Sequence, residues 1–533
     1  MAQGVRSPKT ATKRVGEAGR PPKPGLETLV ILDYGSQYTQ FIARLSRELG
    51  VFSVILPHNT PAEHIQRHKP LGVVLSGGPN SVYDKGAPSL NPAVLELGVP
   101  ILGVCYGLQL LAHHFGGKVE PGKVREYGRA NISLGAASDI LPKAADSSTV
   151  WMSHGDHVAE VPAGFTVTAH SGKLIAAAED PARKLYGLQF HLEVAQSEFG
   201  QHMLENFLGL SGFTRGWQPA SLIDTEVAAI RKLVGDGNVI CGLSGGVDSS
   251  VAATLVDRAI GKQQTCIFVD TGLLRKNEFE EVLEMYKGLG LNIKPIRAAD
   301  RFYAKLKGVT DPEKKRKAIG AEFIAIFEEE ARKVKNAKFL VQGTLYPDAI
   351  TSGMATKASA KIKSHHNSGG LPEKMNLKLI EPLKELFKDE VRVLGKALGL
   401  PEKIYTRQPF PGPGLGVRVV GEITEEKIRI LQEADAIVNQ EIEARPEVRQ
   451  ELYQYLTVLL PVKSVGVMGD GRTYEYACVV KAFNSRDVMT ADWARLPYDL
   501  LATISSRIVS EVRGINRVMY EITTKPPATI EWE

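Results

Sequence analysis

A cysteine between two glycines is the first feature of the chain with the means for nucleophilic catalysis. Cys105 lies in GVCYG, after the apolar run PIL and before LQLLAHHF, which has a helical pattern. A strand, a sharp turn and a helix form a nucleophile elbow. The helix N-terminus favours the thiolate, and the next backbone N–H, that of Tyr106, faces a developing oxyanion. The sequence therefore predicts a cysteine nucleophile at this turn.

The base for this nucleophile is predicted in YGLQFHLEV. His191 and Glu193 are two residues apart in a strand-like run, where alternate side chains share a face. A carboxylate beside an imidazole fixes the tautomer of the ring and stabilises its protonated form, while the imidazole activates the thiol. Cys105, His191 and Glu193 are therefore the predicted triad. The alternative is a buried cysteine and two unrelated polar residues.

A second site is predicted at GLSGGVDSSV, which follows the apolar run NVIC. Backbone N–H groups of a glycine-rich turn, a helix N-terminus and serine hydroxyls together bind phosphate. The loop lacks the Walker lysine, which helps to hold the β- and γ-phosphates while the γ-phosphoryl group leaves. Cleavage between the α- and β-phosphates of ATP, with intact pyrophosphate leaving, suits such a loop. The predicted ATP-binding residues are Ser244, Gly245, Gly246, Val247, Asp248, Ser249 and Ser250, and Asp248 is also the predicted Mg²⁺ ligand.

Alternating strand and helix patterns position both sites. LVIL, FSVIL and GVVLSGG predict strands before the elbow, with a helix capped by Ser36 after the first of them; NVICGL, QTCIFVDTGLL and AKFLVQGT predict strands around the phosphate loop. The predicted fold class is α/β, with two successive doubly wound parallel-sheet domains and a small α+β domain at the C-terminus. The predicted borders are 1–27 for a disordered basic tail, 28–217 and 218–409 for the α/β domains, and 410–533 for the last.

The composition of the chain limits which partners, metal sites and cellular location are expected. The net charge is +5, and residues 1–27, with six Lys/Arg and two Glu, carry most of it, so no nucleic-acid or membrane partner is expected. The most apolar window falls short of a membrane span. The four cysteines form no CxxC pair, which argues against a metal cluster or a disulfide framework. Because the N-terminus has no hydrophobic signal core, the cytosol is the predicted location.

The first half of the chain resembles the class I glutamine amidotransferases over about residues 28–217. LSGGPNSV is similar to their oxyanion strand, GVCYGLQ to their elbow and FHLEV to their base. The resemblance implies hydrolysis of glutamine to glutamate and ammonia through a thioester on Cys105. It also implies an oxyanion and glutamine site at Gly78, Tyr106 and Gln109. The chain departs from the family at Leu192, where proline is usual, and at AQS shortly after it, where His-Thr is usual.

SGGVDSS is the signature loop of the N-type ATP pyrophosphatases, which activate a carbonyl oxygen by adenylation. Other members of that group use an N-terminal cysteine, paired cysteines or a nitrilase-type amidase, none of which this sequence shows. A triad amidotransferase ahead of the loop resembles the glutamine-hydrolysing GMP synthase family. The motifs DPEKKRKAIG, PFPGPGLGVR, SVGVMGDGRTY and KPPATIEWE extend that resemblance over residues 28–533.

This resemblance implies that XMP O2 is adenylated with release of pyrophosphate and that ammonia then displaces AMP to give GMP. It also implies Mg²⁺ with ATP, a lid lysine at Lys363, and a homodimer formed through the C-terminal domain. The implied XMP contacts are Arg316, Asp470, Lys525 and Glu531. Two alternatives stay open: a related amidotransferase that adenylates another carbonyl, and a binding protein that has lost catalysis, for which only HLEVAQS and the basic tail argue.

Overall fold

The computed structural model of the chain describes residues 26–353, 377–485 and 490–533. Most of the predicted tail, and Lys363, lie outside the described residues. The chain divides into two compact units with a border between Gln218 and Pro219, and a short segment starting at Pro347 groups with the first unit. Across the described ranges, no helix has the length and apolar character that a membrane crossing requires.

The first unit contains a mixed eight-stranded sheet and a separate two-stranded ribbon. Its strands are Thr28–Asp33 (β1), Phe52–Pro57 (β2), Pro70–Leu75 (β3), Ile101–Val104 (β4), Lys118–Asn131 (β5), Ser133–Leu134 (β6), Thr149–Glu160 (β7), Thr166–Ser171 (β8), Leu174–Asp180 (β9) and Leu185–Leu188 (β10). Its helices are Thr39–Glu48 (α1), Ala62–Arg67 (α2), Tyr106–His114 (α3) and Gly200–Leu210 (α4).

The strands of the large sheet lie in the order β2-β1-β3-β4-β10-β9-β8-β6. The first five are parallel, as predicted. The last three continue the sheet in antiparallel fashion, which the sequence did not predict. Strands β5 and β7 form the antiparallel ribbon. The apolar runs are the reason for this layout, because a strand buried on both faces, such as β1, needs an unbroken apolar sequence.

The prediction that Ser36 caps the first helix is wrong, because helix α1 begins only at Thr39. The Ser36 hydroxyl accepts a hydrogen bond from the Tyr38 backbone N–H at 3.0 Å. The Thr39 hydroxyl donates to Asp33 Oδ1 at 2.7 Å. These two bonds hold the chain in a turn after β1, so the helix starts two residues later than the pattern indicated.

After the border, the chain forms a second set of strands: Asn238–Leu243 (β11), Gln264–Asp270 (β12), Ile293–Arg297 (β13), Ala337–Val341 (β14), Lys378–Ile380 (β15), Gln454–Met468 (β16), Gly471–Asn484 (β17), Asp492–Trp493 (β18) and Ile515–Tyr520 (β19). The helices after the border are Leu222–Val234 (α5), Val247–Ile260 (α6), Glu278–Lys287 (α7), Ala299–Leu306 (α8), Pro312–Ala331 (α9), Tyr346–Gly353 (α10), Lys388–Ala397 (α11), Glu402–Tyr405 (α12), Glu425–Glu443 (α13), Pro446–Glu451 (α14) and Tyr498–Glu511 (α15).

Strands β11 to β15 form a parallel sheet in the order β13-β12-β11-β14-β15, which is a doubly wound arrangement. Strands β16, β17 and β18 form an antiparallel sheet, to which β19 adds in parallel. The predicted fold class is therefore confirmed. One hydrophobic core contains residues of both sheets, including Ile240 and Ile515. The predicted border at 409/410 runs through this unit and stays a prediction.

Candidate active sites

Cys105 lies at a sharp turn between strand β4 and helix α3. Its φ of 53° is rare for a residue with a side chain, and such strained backbone is typical of a nucleophile elbow. The two flanking glycines are required by close approach of the strand and the helix. A Cβ at Gly103 would lie 2.6 Å from the backbone of Gly107, and one at Gly107 would lie 2.3 Å from the carbonyl oxygen of Leu75.

The three predicted triad residues lie together and are buried. The Nδ1 atom of His191 is 2.7 Å from Oε1 of Glu193, and these side chains are 3% and 1% exposed. The Cys105 side chain is close enough to His191 to contribute to the raised pKa of the ring. A Cβ placed on Gly77 would touch His191 Cε1 at 2.9 Å and Cys105 Cβ at 3.5 Å, so both side chains border one small space.

The prediction that His191 and Glu193 are alternate residues of one strand is wrong. Strand β10 ends at Leu188, so the two side chains are not alternate residues of a strand. His191 forms an isolated bridge to Trp151, its N–H donating to that carbonyl at 2.9 Å. The chain then turns, and Ser197 Oγ closes the turn with a 2.6 Å hydrogen bond to the His191 carbonyl. The Glu193 carboxylate therefore reaches the His191 ring through this turn and not through the alternation of side chains along a strand.

Burial lowers the pKa of His191, but the negative charge of Glu193, the neighbouring Cys105 side chain and the hydrogen bond with Glu193 outweigh it, so that pKa stands well above its ordinary value. A protonated His191 can stabilise a thiolate on Cys105 and can later protonate a departing amine. The carboxylate is therefore the group that sets the charge state of the triad.

We expect Glu193→Gln to lower the pKa of His191, because the amide keeps a hydrogen bond and removes the charge. A raised folded-state pKa stabilises the fold fully below the unfolded value of about 6.5, and that stabilisation is lost as pH rises through the folded value. The stability difference between parent and variant should thus be largest at low pH. Imidazole ¹⁵N NMR and denaturant unfolding at several pH values measure both effects. Glu198→Gln, at a carboxylate that binds the Thr149 N–H, is the control. An unmoved His191 titration would contradict the assignment.

The predicted oxyanion residues also lie at the elbow. The Tyr106 N–H is the first of helix α3, where backbone N–H groups have no partner within the helix. A Cβ on Gly78 would lie 3.3 Å from the Tyr106 ring, so the two residues are neighbours. Gln109 is buried and its Nε2 donates to the Asp156 carbonyl at 2.7 Å. Leu192 is buried as well, and the bond between His191 and Glu193 forms with leucine at that position.

Three further groups around the nucleophile were not predicted. Gln189 Nε2 lies 3.9 Å from Cys105 Sγ, and the Ser153 carbonyl accepts from the same sulfur at 3.7 Å. The Tyr38 ring meets the His191 ring edge-on, with centroids 4.7 Å apart. Ser153 and Tyr38 are far from the triad residues in the sequence, so no local pattern indicates their contacts. Only Gln189, which lies two residues before His191, could have been expected near the triad from its position.

The phosphate loop joins strand β11 to helix α6. Gly245 has a φ of +73°, a conformation that glycine adopts without strain. The hydroxyls of Ser244 and Ser249 are 3.0 Å apart at the loop. Ser250 is fully buried beneath the loop, where its Oγ donates to the Gly246 carbonyl and lies 2.5 Å from the Tyr286 hydroxyl. Val247 and Asp248 begin the helix, whose N–H groups and dipole favour an anion.

The predicted Mg²⁺ ligand has one oxygen to offer. Asp248 Oδ2 is 2.5 Å from Lys388 Nζ, while Oδ1 is buried without a hydrogen-bond partner. Mg²⁺ is usually held by one or two carboxylates together with substrate phosphates and water, so Asp248 fits it. Within the described ranges, no cluster of three or more His, Cys, Asp or Glu could hold a metal alone. Lys388, a cation beside the loop, was missed because it lies 140 residues along the chain.

Two of the four predicted XMP residues lie in one cluster at the end of the chain. Glu531 receives two hydrogen bonds from the buried Arg418, at 2.9 and 3.0 Å. Arg316 donates to the backbone oxygen of Glu533, and the buried Lys315 pairs with the Glu533 carboxylate. The sequence missed Arg418 and Lys315, which fix this last segment.

The other two XMP residues are placed differently. Asp470 is in the turn of the β16–β17 hairpin. The N–H of Leu459 in β16 donates to the Arg418 carbonyl, so this part of the hairpin lies beside Arg418. Met468, the last residue of β16, is nine residues farther along the strand. At ~3.3 Å per residue, the turn is therefore about 30 Å from Leu459. Lys525 pairs through its backbone with Ala491, at 2.8 and 3.1 Å. One chain therefore does not bring Asp470 to Arg316 and Glu531.

Known families match the chain in three segments. These are Glutamine amidotransferase class-I over residues 30–210, NAD synthase over residues 223–325, and GMP synthase C terminal domain over residues 440–532. The first contains the triad and the second contains the phosphate loop.

Curated relatives match nearly the whole chain. Glutamine-hydrolyzing GMP synthase of Geobacillus kaustophilus is 56% identical over 510 residues, which is 95% of this chain and 99% of that protein. The proteins of the same name from Bacillus subtilis and Clostridium perfringens are 54% and 52% identical over the same share of this chain, and over 99% and 100% of their own lengths. With its two sites and this similarity along 95% of its length, the chain belongs to the glutamine-hydrolysing GMP synthase family.

Proposed function

We propose that the protein makes GMP from XMP, ATP and glutamine, with one reaction at the cysteine elbow and the other at the lysine-free phosphate loop. The observation that carries this proposal is the occurrence of both sites in one chain, each with its own chemistry. Neutral ammonia is a nucleophile that water largely protonates near pH 7. Producing it in the protein that consumes it accounts for the fusion.

At the elbow, the thiolate of Cys105 attacks the side-chain carbonyl carbon of glutamine. The N–H groups of Gly78 and Tyr106 stabilise the oxyanion, and His191 gives its proton to the departing ammonia. Water then cleaves the thioester, with His191 as base, to release glutamate and restore the thiol. Glu193 stabilises the imidazolium in both steps.

At the phosphate loop, XMP O2 attacks the α-phosphorus of ATP, the bond to the β-phosphate oxygen breaks, and pyrophosphate leaves. In this proposal, the loop N–H groups, the hydroxyls of Ser244 and Ser249, and Lys388 would hold that anion. A Mg²⁺ ion bound by Asp248 would neutralise charge on the phosphates. Ammonia then adds at C2 of the base and AMP departs with the former O2, leaving GMP. Lys363 stays a predicted lid residue.

Pyrophosphate release with different acceptors tests this proposal. With ATP and ammonium present, we expect release to depend on XMP and to be absent with deamido-NAD or aspartate. Release with deamido-NAD would favour the alternative enzyme of the same loop family. The absence of release with every acceptor, together with absent glutaminase activity, would favour a protein without catalysis.

We further propose a homodimer that forms through the distal half of the β16–β17 hairpin. Val465, Val467 and Tyr474 are 54%, 77% and 65% exposed there, an unusually apolar surface for the outer part of a hairpin. A second copy of the chain is the occupant that also accounts for Asp470, since the hairpin of a partner can reach a site that its own chain cannot.

Val467→Lys is expected to shift the protein toward the monomer, because it places a charge at the most exposed of these three apolar residues. Sedimentation velocity over a range of concentrations measures the change. Val393→Lys is the control, since Val393 is 47% exposed on a helix away from the hairpin. A parent that sediments as a monomer at all concentrations would rule the dimer out.

We place the protein in the cytosol. All four cysteines are free and buried, which suits a reducing compartment.

A further inference from the structure

An arginine from a distant part of the chain, Arg407, forms a hydrogen bond with the backbone of the phosphate loop. Arg407 Nη1 donates to the Gly245 carbonyl at 2.8 Å, and its Nη2 forms an ion pair with Glu278. The side chains of Arg407 and Glu278 are 17% and 3% exposed, so the pair is shielded from water. A charge-assisted hydrogen bond in such a place is stronger than one at the surface.

Glu278 orients this arginine and is itself fixed. It is the first residue of helix α7, and its second carboxylate oxygen accepts the Arg275 N–H at 2.7 Å. The Arg407 carbonyl accepts a hydrogen bond from Arg392 Nη2 at 3.1 Å. Arg392 lies in helix α11, which begins with Lys388. The phosphate loop, the segment after β12 and the segment before PFPGPG are thereby joined by one network.

The bond from Arg407 determines which way a peptide of the loop faces. In a trans peptide, the carbonyl of Gly245 and the N–H of Gly246 point in opposite directions. Because the carbonyl faces Arg407, the N–H faces away from it, where its only described contact is a 3.4 Å one with Ser244 Oγ. A flanking glycine lets this peptide rotate at little cost, so the loop needs an outside contact to keep the N–H turned toward a bound anion.

We propose that Arg407, oriented by Glu278, is a positioning residue that presets the loop for the departing pyrophosphate. Its two terminal nitrogens donate to the Gly245 carbonyl and to Glu278, so the proposed action is through the Gly245–Gly246 peptide. This inference rests on the proposed function, and it adds a residue that no motif of the loop contains.

The test compares Arg407→Met and Arg407→Lys with the parent in ammonium-dependent GMP synthesis, with inorganic pyrophosphate as product inhibitor. For the methionine variant, we expect the KM for ATP and the inhibition constant for pyrophosphate each to rise roughly 10-fold or more, as for a lost hydrogen bond to a charged group. The KM for XMP stays unchanged. Lysine can satisfy only one of the two acceptors, so its effect is smaller in the same direction. Glu278→Gln is expected to act like the lysine variant.

Arg301→Met is the control, since the Arg301 guanidinium, like that of Arg407, bonds two acceptors, here Glu322 and Glu329 at 2.7 and 2.8 Å, but it lies on helix α8. Its constants should equal those of the parent. The proposal is overturned if the folded Arg407 variants keep the parent's pyrophosphate constant, or if all three substrate and product constants rise together. Should the methionine variant fail to fold, the lysine variant decides. A parent that releases no pyrophosphate would instead refute the proposed function.

Discussion

Replacing Cys105 by alanine is expected to abolish GMP formation from glutamine and to leave formation from added ammonium unchanged. The thiol is the atom that bonds to the substrate carbon, so its loss should lower the glutamine-dependent rate by at least about 10⁴-fold, as for nucleophiles of similar triads. The phosphate loop is in the other unit and contains none of the triad residues. The small change from thiol to methyl at a buried site should leave the fold intact.

Assays of the same preparation with each nitrogen source check this result. Cys478→Ala is the control, because Cys478 is equally buried but lies in strand β17. It should keep both activities. Loss of ammonium-dependent synthesis in the Cys105 variant would contradict the division of labour between the two sites.

Gly107→Ala is expected to have the second largest effect, and the sign is opposite to what helix propensity alone gives. Gly107 is the second residue of helix α3, where alanine is better than glycine by up to about 1 kcal/mol. In the structure, the added Cβ would lie 2.3 Å from the Leu75 carbonyl oxygen and 2.9 Å from Leu75 Cβ. Backbone cannot yield as a flexible side chain can, so helix α3 must move away from strand β3. We expect a glutaminase rate at least about 100-fold lower, since displacements of about 1 Å have that effect.

Gly209→Ala in helix α4 is the matched control, since a Cβ there has no atom within 4 Å. The Gly209→Ala variant should have a slightly higher melting temperature than the parent and the same glutaminase rate. Gly107→Ala should lower both the melting temperature and the rate. Glutamate release and thermal unfolding measure the pair. A Gly107 variant with the parent's rate would show that the elbow does not depend on this close approach.

Local sequence was sufficient for both strand–turn–helix sites. An apolar run, a glycine-rich turn and a helical pattern lie within about ten residues at Cys105 and again at Gly245, so neighbouring residues determine the geometry. The parallel strands were predictable for the same reason. The antiparallel continuation β9-β8-β6 was not, because the pairing of these strands depends on which edge of the sheet is open.

Contacts between distant residues were beyond the sequence patterns. Lys388 and Arg407 reach the phosphate loop from more than 100 residues away. The same holds for Arg418, whose pairing with Glu531 depends on how the end of the chain folds back. His191 and Glu193 were correctly grouped for an incorrect reason, since a turn held by Ser197 replaces the expected strand. Ser250 was grouped with the loop by its type, although burial commits its hydroxyl to Gly246 and Tyr286.

In the proposed reaction, the loop at Ser244–Gly246 holds a departing pyrophosphate while a nucleotide oxygen becomes bonded to the AMP phosphorus. Turnover of XMP labelled with ¹⁸O at O2, followed by mass spectrometry of the products, tests it most directly. We expect one AMP and one pyrophosphate for each GMP, with the label in the AMP phosphate. Formation of ADP and orthophosphate, or AMP without the label, would contradict it.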